Sequence, residues 1–280
     1  MNKLLLREQL MQFMKEDLGF GDRTSEWIFS NEITKAIFLA KSKGVFAGEE
    51  VLIEGYKLLQ SDIDLTLLKR DGDNLEPGDV IAEVTGPTVD ILSSERVLLN
   101  LVQRMSGIAT LTQEAVTRLG ETQTRICDTR KTTPGLRMLE KHAVVSGGGF
   151  NHRLRLDDAV MIKDNHIARC GSITAAVTKV REKAGHMIKI EVEAESVADV
   201  KEAVEAGADV IMFDNSTVEQ AIQWRNEVPP SIITEVSGGI TLETLPEFGK
   251  TGVDYISIGA LTHSAKALDI SLDIQINREG

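Results

Sequence analysis

The sequence predicts an α/β protein in two parts: a mixed helix-and-strand region over residues 1–110, and a series of βα units over 111–268. Two patterns carry that prediction. In the second part, short apolar or β-branched runs alternate with helical stretches, as parallel strands joined by crossover helices do. In the first part, short strands are punctuated by Gly, Pro and Asp and lead into one long helix.

The elements follow in chain order. Leu4, Leu5, Met11, Met14 and Leu18 recur at near-helical spacing, so the chain opens with a helix. "KAIFLAKSKG" reads as a strand and "GEEVLIEGYKLLQ" as a helix, and "DGDNLEPGDVIAEVTGP" as tight turns between short strands. The long helix comes next. Ser93 and Ser94 suit its N-cap, and Leu98, Leu101, Val102 and Met105 give it an apolar face. Six strands then appear: "TRICDT", "VMIKD", "IKIEVE", "DVIMFDN", "SIITEVSGG" and "DYISIGA". Helices such as "SVADVKEAVEAGA" and "STVEQAIQWRNEV" lie between them. Six strands fit a βα barrel, complete or incomplete. The alternation in "LDISLDIQI" makes residues 269–280 a candidate strand returning to the first part.

The chain has 280 residues, a net charge of −12, 42% hydrophobic and 26% charged residues, which suits a globular protein with ample core. No apolar run approaches the roughly 20 residues of a spanning helix, so no membrane partner is expected. The N-terminal segment is amphipathic and carries acids, unlike a signal peptide. Cys127 and Cys170 have no metal-ligand spacing, which argues against a disulfide framework or a structural zinc and for the cytoplasm. The acidic balance argues against nucleic acid. Against it, residues 125–163 hold eight Lys/Arg and four Asp/Glu, and small anionic ligands are the natural partner of such a segment.

Five strands end in polar residues: Asp128 to Lys131, Lys163 to Asn165, Glu191 and Glu193, Asp214 and Asn215, and Ser237 to Gly239. One charged strand end is ordinarily a turn residue or a cap. Five together point to a shared mouth, where βα barrels hold their sites. "SGGI" and "GALTHS" follow the last two strands, a frequent place for phosphate, with backbone N–H groups and helix dipoles as the binding device. Glu193 and Asp214 can bind Mg2+ through water or hydrogen-bond sugar hydroxyls; the plainer reading is that one of them neutralises a lysine. His152 and His263 lie beside the cations and the glycines, whereas His142 and His166 read as capping or core residues. No nucleophilic triad, Walker loop or dinucleotide fingerprint is visible.

"EDLGFGDRTS", "ERVLLNLVQRMSGIAT", "DTRKTTPGLRMLEKHAVVSGGGFNHR", "IKDNH", "EVE", "FDN", "SGGI" and "GALTHS" occur in that order over nearly the whole chain. Together they closely resemble the quinolinate phosphoribosyltransferases. The resemblance implies an N-terminal α/β sandwich-like domain and a C-terminal open α/β barrel. It implies transfer of phosphoribose from phosphoribosyl pyrophosphate to quinolinate with loss of CO₂, with Mg2+, in NAD synthesis. It also implies a homodimer with shared sites, in which Arg96 reaches the substrate of the partner subunit. Thr129, Arg130, Lys131, His152, Arg153 and Lys163 would line the pocket. Glu193 and Asp214 would hold ribose and metal, and Ser237, Gly238, Gly239, Gly259 and His263 the phosphate. Lys131, Lys163, Glu193 and Asp214 would carry the catalysis. Arg96, Arg130, Arg153, Lys163 and His152 exceed what one carboxylate needs, which matches the two carboxylates of quinolinate. Two rivals are a paralogue with another substrate and a phosphate-binding module without turnover. The full set of cations and acids speaks against both.

Overall fold

The computed structural model describes residues 1–59 and 62–275. Helix α1 (Lys3–Leu18) is capped by Asn2, whose side chain accepts from the N–H groups of Leu4 and Leu5. Its buried stripe is Leu6, Leu10 and Met14, at i and i+4 spacing, while Leu4, Leu5 and Met11 are exposed. α2 (Arg23–Ile28) follows, then β1 (Ile33–Ala40), β2 (Gly44–Val45), α3 (Glu49–Leu58), β3 (Asp64–Leu67), β4 (Asn74–Leu75) and β5 (Val80–Pro87). α4 runs from Thr88 to Leu119, so Ser93 and Ser94 lie inside it instead of capping it. Ser94 donates back to the carbonyl of Asp90 at 2.8 Å, and Ser93 donates to Asp22 at 3.2 Å.

The later chain holds β6 (Arg125–Cys127), α5 (Arg137–Ser146), β7 (Val160–Ile162), α6 (Asp164–Cys170), α7 (Ile173–Arg181), β8 (Ile190–Ala194), α8 (Val197–Glu205), β9 (Val210–Asp214), α9 (Val218–Arg225), β10 (Ile233–Ser237), α10 (Leu245–Phe248), β11 (Tyr255–Ser257), α11 (Ala260–His263) and β12 (Ile270–Ile274). Ser196 caps α8, and a capping box of Thr217 and Gln220 starts α9.

Two compact units result. The first comprises residues 1–113, 133–148 and 265–280, and the second residues 114–132 and 149–264. In the first, an antiparallel sheet runs in the order β12-β1-β5-β3, and β2 pairs with β4. The alternation read in the last strand thus serves this sheet, with Ile274 opposite Ala36; residues 276–280 lie outside those described. A cut at 110 would assign residues 133–148 to the barrel, yet they pack within the first unit. Glu140 on α5 accepts from the Arg104 guanidinium of α4, and His142 is 2.6 Å from Asp71.

In the second unit, six parallel strands run in the order β6-β11-β10-β9-β8-β7, so the first strand lies beside the last and β7 is an edge: an open barrel. Cys127 makes a parallel bridge with Phe150. Ile190, Val192, Ile211, Phe213, Val236 and Ile256 are fully buried, each worth about 1.5–3 kcal/mol by removal from water. Phe213 meets Trp224 of α9 edge-on at 5.6 Å, which locks one helix to the sheet.

Candidate active site

The sheet register brings the C-terminal strand ends level. Ser237 lies opposite both Asp214 and Ser257, and Ser257 opposite Cys127. Residues at and just past these ends line an open cavity of about 800 Å³. Thr129, Arg130, Lys131, His152, Arg153, Lys163, Glu193, Asp214, Ser237, Gly238, Gly239, Gly259 and His263 all line it. Arg96 does not; it stands on α4 in the first unit, exposed, 4.0 Å from Glu95 Oε1. Sequence reasoning passed over Met161, Met212, Ile240 and Ile258, which give the cavity apolar wall against which a flat ring can pack.

The charge of the cavity differs from the charge of the segment. Its lining holds four Lys/Arg (Arg130, Lys131, Arg153, Lys163) and four Asp/Glu (Asp164, Glu193, Glu195, Asp214). The other cations of residues 125–163 are engaged elsewhere. Arg137 and Lys141 belong to the first unit, Arg155 pairs with Asp157, and Arg125 stacks on Phe150 at 4.8 Å. The cavity thus offers positive charge for anionic groups of a ligand and carboxylates for its hydroxyl or cationic groups.

Among the cations, the Nε of Arg130 is buried with no hydrogen-bond partner among the described residues, a donor that a ligand can satisfy. Arg153 donates through Nη1 to the carbonyl of Ala159 at 2.9 Å. Burial, and then the charge of Arg130, lower its pKa; Glu191 and Glu193 oppose them. Lys163 bonds the carboxylate of Glu193. Lys131 is held by its loop, with its N–H on Thr129 Oγ1 at 3.0 Å and its carbonyl taking the Thr262 hydroxyl at 2.9 Å.

Among the acids, burial raises the pKa of Glu193, Lys163 lowers it, and the charges of Asp214 and Glu191 raise it further. Asp214 accepts from Asn215 Nδ2 at 2.9 Å. Glu193 and Asp214 offer oxygen donors alone at an open mouth. That donor chemistry fits Mg2+ held jointly with phosphate oxygens.

The glycine turns act through shape. Gly238 and Gly239 take φ of 94° and 65°. A Cβ on Gly238 would lie 2.2 Å from Asn215 Oδ1, so only glycine fits. At Gly259 a Cβ would crowd Lys131 and His263, at 2.9 and 3.3 Å. The helix dipoles expected there are weak, because α10 and α11 have four residues each. His152 also differs from the reading that counted it as a cation. Its Nδ1 accepts the backbone N–H of Arg153 at 2.8 Å, which places the ring proton on Nε2 and leaves the ring neutral.

Residues 22–106 match the N-terminal domain of quinolinate phosphoribosyl transferase, and residues 108–273 match its C-terminal domain. The chain is 56% identical over 279 residues to a probable nicotinate-nucleotide pyrophosphorylase (carboxylating) from Bacillus subtilis (strain 168), covering 100% of this chain and 96% of the relative. It is 40% identical over 245 residues to the nicotinate-nucleotide pyrophosphorylase (carboxylating) of Rattus norvegicus, covering 86% and 81%. The solved nicotinate-nucleotide pyrophosphorylase from Francisella tularensis superposes with a TM-score of 0.92 at 34% identity, covering 98% of each chain. On these matches, which span both units, the chain belongs to the quinolinate phosphoribosyl transferase family.

Proposed function

We propose that the protein transfers the phosphoribosyl group of phosphoribosyl pyrophosphate to the ring nitrogen of quinolinate, releasing pyrophosphate and CO₂ and leaving nicotinate mononucleotide for NAD synthesis. The observation that carries this is one cavity, in a chain of this family, that gathers two arginines, two lysines, four carboxylates and two glycine turns.

Each group has a task that its chemistry suits. Arg130 and Arg153 present planar forks to two adjacent carboxylates, which a lysine point charge cannot orient. Lys131 and Lys163 stand where negative charge grows on the leaving pyrophosphate. Glu193 and Asp214 favour the positive charge that develops on the ribose ring as the C1–O bond breaks. The turns at Ser237 to Gly239 and at Gly259 receive phosphate. The pyridine nitrogen becomes cationic on bonding to ribose. Its positive charge then stabilises the electron pair left on C2 as the 2-carboxylate departs as CO₂, and that pair takes up a proton to form the C2–H bond. Glu193 and Asp214 would hold Mg2+ with the donor's phosphates, and the ion would supply countercharge to the pyrophosphate.

The working unit is a homodimer in this reading, with Arg96 of one subunit serving the site of the other. A cytoplasmic setting suits two cysteines, Cys127 and Cys170, that form no disulfide among the described residues, and no helix among those residues is long and apolar enough to cross a membrane.

The test is an assay with the purified protein, donor and Mg2+, comparing quinolinate with nicotinate. Quinolinate should yield nicotinate mononucleotide and CO₂, and exhaustive chelation should abolish turnover. Nicotinate leaves a desolvated cation unpaired, at a cost of about 2–5 kcal/mol, so its kcat/KM should be roughly 30- to 4,000-fold lower. Values within about tenfold of each other, on the same scale of roughly 1.4 kcal/mol per decade, would reopen the choice of acceptor. Full activity in chelator would remove Mg2+ from the scheme.

A further inference from the structure

One group of side chains, of which His152 lines the cavity, is left unused by the scheme above. His152, Glu191 of β8 and Glu235 of β10 bring one ring nitrogen and two carboxylate oxygens within 4.8 Å of one another. Register places Glu235 level with Glu193 through Met212, and Glu191 two residues deeper on the same strand face. Glu191 and Glu235 are 6% and 4% exposed, and Oε1 of each is buried without a hydrogen-bond partner. A His with two carboxylates is a plausible metal set by composition. The position of the ring proton decides against it. Nδ1 is the acceptor of the Arg153 N–H, so Nε2 carries hydrogen and cannot ligate. Nε2 points instead at Glu191 Oε2, 3.0 Å away, with Glu235 Oε1 at 3.8 Å.

We propose that Glu191, flanked by Glu235, is a positioning residue for the acceptor subsite, accepting from His152 Nε2–H at 3.0 Å so that Nδ1 of the ring fixes the backbone of Arg153 and aims that guanidinium beside Arg130. Asp128 completes the clamp by accepting the His152 N–H at 2.9 Å. Two guanidinium groups in one half-buried cavity repel each other, and the charge of Glu191 offsets that repulsion at Arg153 before any ligand arrives. Arg153 responds in that sense, with Glu191 opposing the effects of burial and of Arg130. His152 is then a strut with both ring nitrogens engaged, and the carboxylates of the acceptor are read by the arginines.

This inference rests on the acceptor named above only for its kinetic arm, and the test separates the two. In protein labelled with ¹⁵N-histidine, the His152 signal, assigned by its loss in His152→Asn, should show an unprotonated Nδ1 and a protonated Nε2 without any substrate present. An imidazolium, or the opposite tautomer, would overturn the proposal. So would a stoichiometric transition metal that survives dialysis in the wild type and is absent from His152→Asn. In kinetics, Glu191→Leu removes charge and acceptor together, and Glu191→Gln keeps an oxygen for Nε2–H. Glu191→Leu should raise the quinolinate KM on the order of 10- to 100-fold, the scale of a small misplacement at a binding group, with the donor KM within about twofold. Glu191→Gln should recover most of that loss. Equal changes in both KM values, or no recovery with Gln, would mean a merely structural role. If Glu191→Leu does not fold, Glu191→Gln, with a quinolinate KM near that of the wild type, and the wild-type tautomer still decide the matter. If the tautomer is as stated but quinolinate is not turned over, the acceptor assignment fails and the clamp stands.

Discussion

Asn215 has a φ of 52°, the left-handed region that among the described residues is otherwise occupied by glycine alone. Asparagine tolerates this conformation better than most residues, but it still costs energy, and the side chain shows what is gained. Its amide donates to Asp214, its N–H bonds the Ser237 carbonyl at 2.8 Å, and its Oδ1 occupies the space a side chain at 238 would need. Asn215→Gly should therefore leave stability within about 1 kcal/mol of the wild type, since relief of strain offsets the added chain entropy. It should lower kcat roughly 10- to 100-fold by freeing Asp214, the usual cost of losing a supporting hydrogen bond. Thermal unfolding and steady-state kinetics check both halves, and a variant with full activity would show that Asp214 needs no support. A second residue-scale outcome concerns Glu235. Burial, and then the charge of Glu191, raise its carboxyl from 4.5 to about 7. The folded protein thus keeps a proton that the unfolded chain releases, so stability falls as pH rises from 4.5 to about 7 and levels off above. Glu235→Gln should flatten that slope in denaturant titrations at several pH values, and parallel curves for the two proteins would contradict it. Residues of these two kinds differ in how well the sequence shows them. Glu193 is legible, because it ends an apolar run beside a turn. Glu235 lies inside "SIITEVSGG", and only its neighbours in space, Glu191 and His152, mark it as part of the site.

The six barrel strands are legible as elements because burial from both sides leaves near-continuous apolar runs, such as "DVIMFD" at β9. The start of α4 is not. A serine near a helix start can cap the helix or bond back to the preceding turn, and the choice depends on what surrounds it. Ser93 finds Asp22, so the helix begins at Thr88. α1 misleads in another way, since several of its apolar side chains face solvent and the buried stripe shares only Met14 with the set read from spacing. α4 also carries a tight approach that no periodicity reports. A Cβ on Gly107 would lie 1.9 Å from the carbonyl oxygen of Lys266 and 3.1 Å from Ala267 Cα. These neighbours are backbone, so they cannot swing aside. Gly107→Ala should cost about 1–3 kcal/mol or more, the range for overpacking, read as a lower midpoint in urea. An unchanged midpoint would mean that the segment at 266–267 shifts freely.

At the scale of the whole molecule, the shared-site reading makes a sharp claim. Arg96→Ala and Lys131→Ala should each be nearly inactive as pure proteins. When subunits are mixed, a heterodimer should pair the intact Arg96 of one chain with the intact Lys131 of the other and recover one working site of two. A verified heterodimer that stays inactive would place both residues in the same subunit's site and overturn the shared-site reading. The division into two parts was legible from the change in pattern near residue 110, and its true path was not. Residues 133–148 return to the first unit because Arg104 and Asp71 await Glu140 and His142, partners that lie far off in sequence. The chain thus passes between the units at residues 113, 132, 148 and 264. On the ribosome, this order matters. The nascent first sheet emerges with β1, β3 and β5 early, yet its outer strand β12 is made only after the whole barrel, and pairs Ile274 with Ala36. Until that strand arrives, β1 is an open edge on an incomplete sheet, and the growing chain must keep it from other strands while more than 180 residues are still being translated, from Pro87 to Ile270.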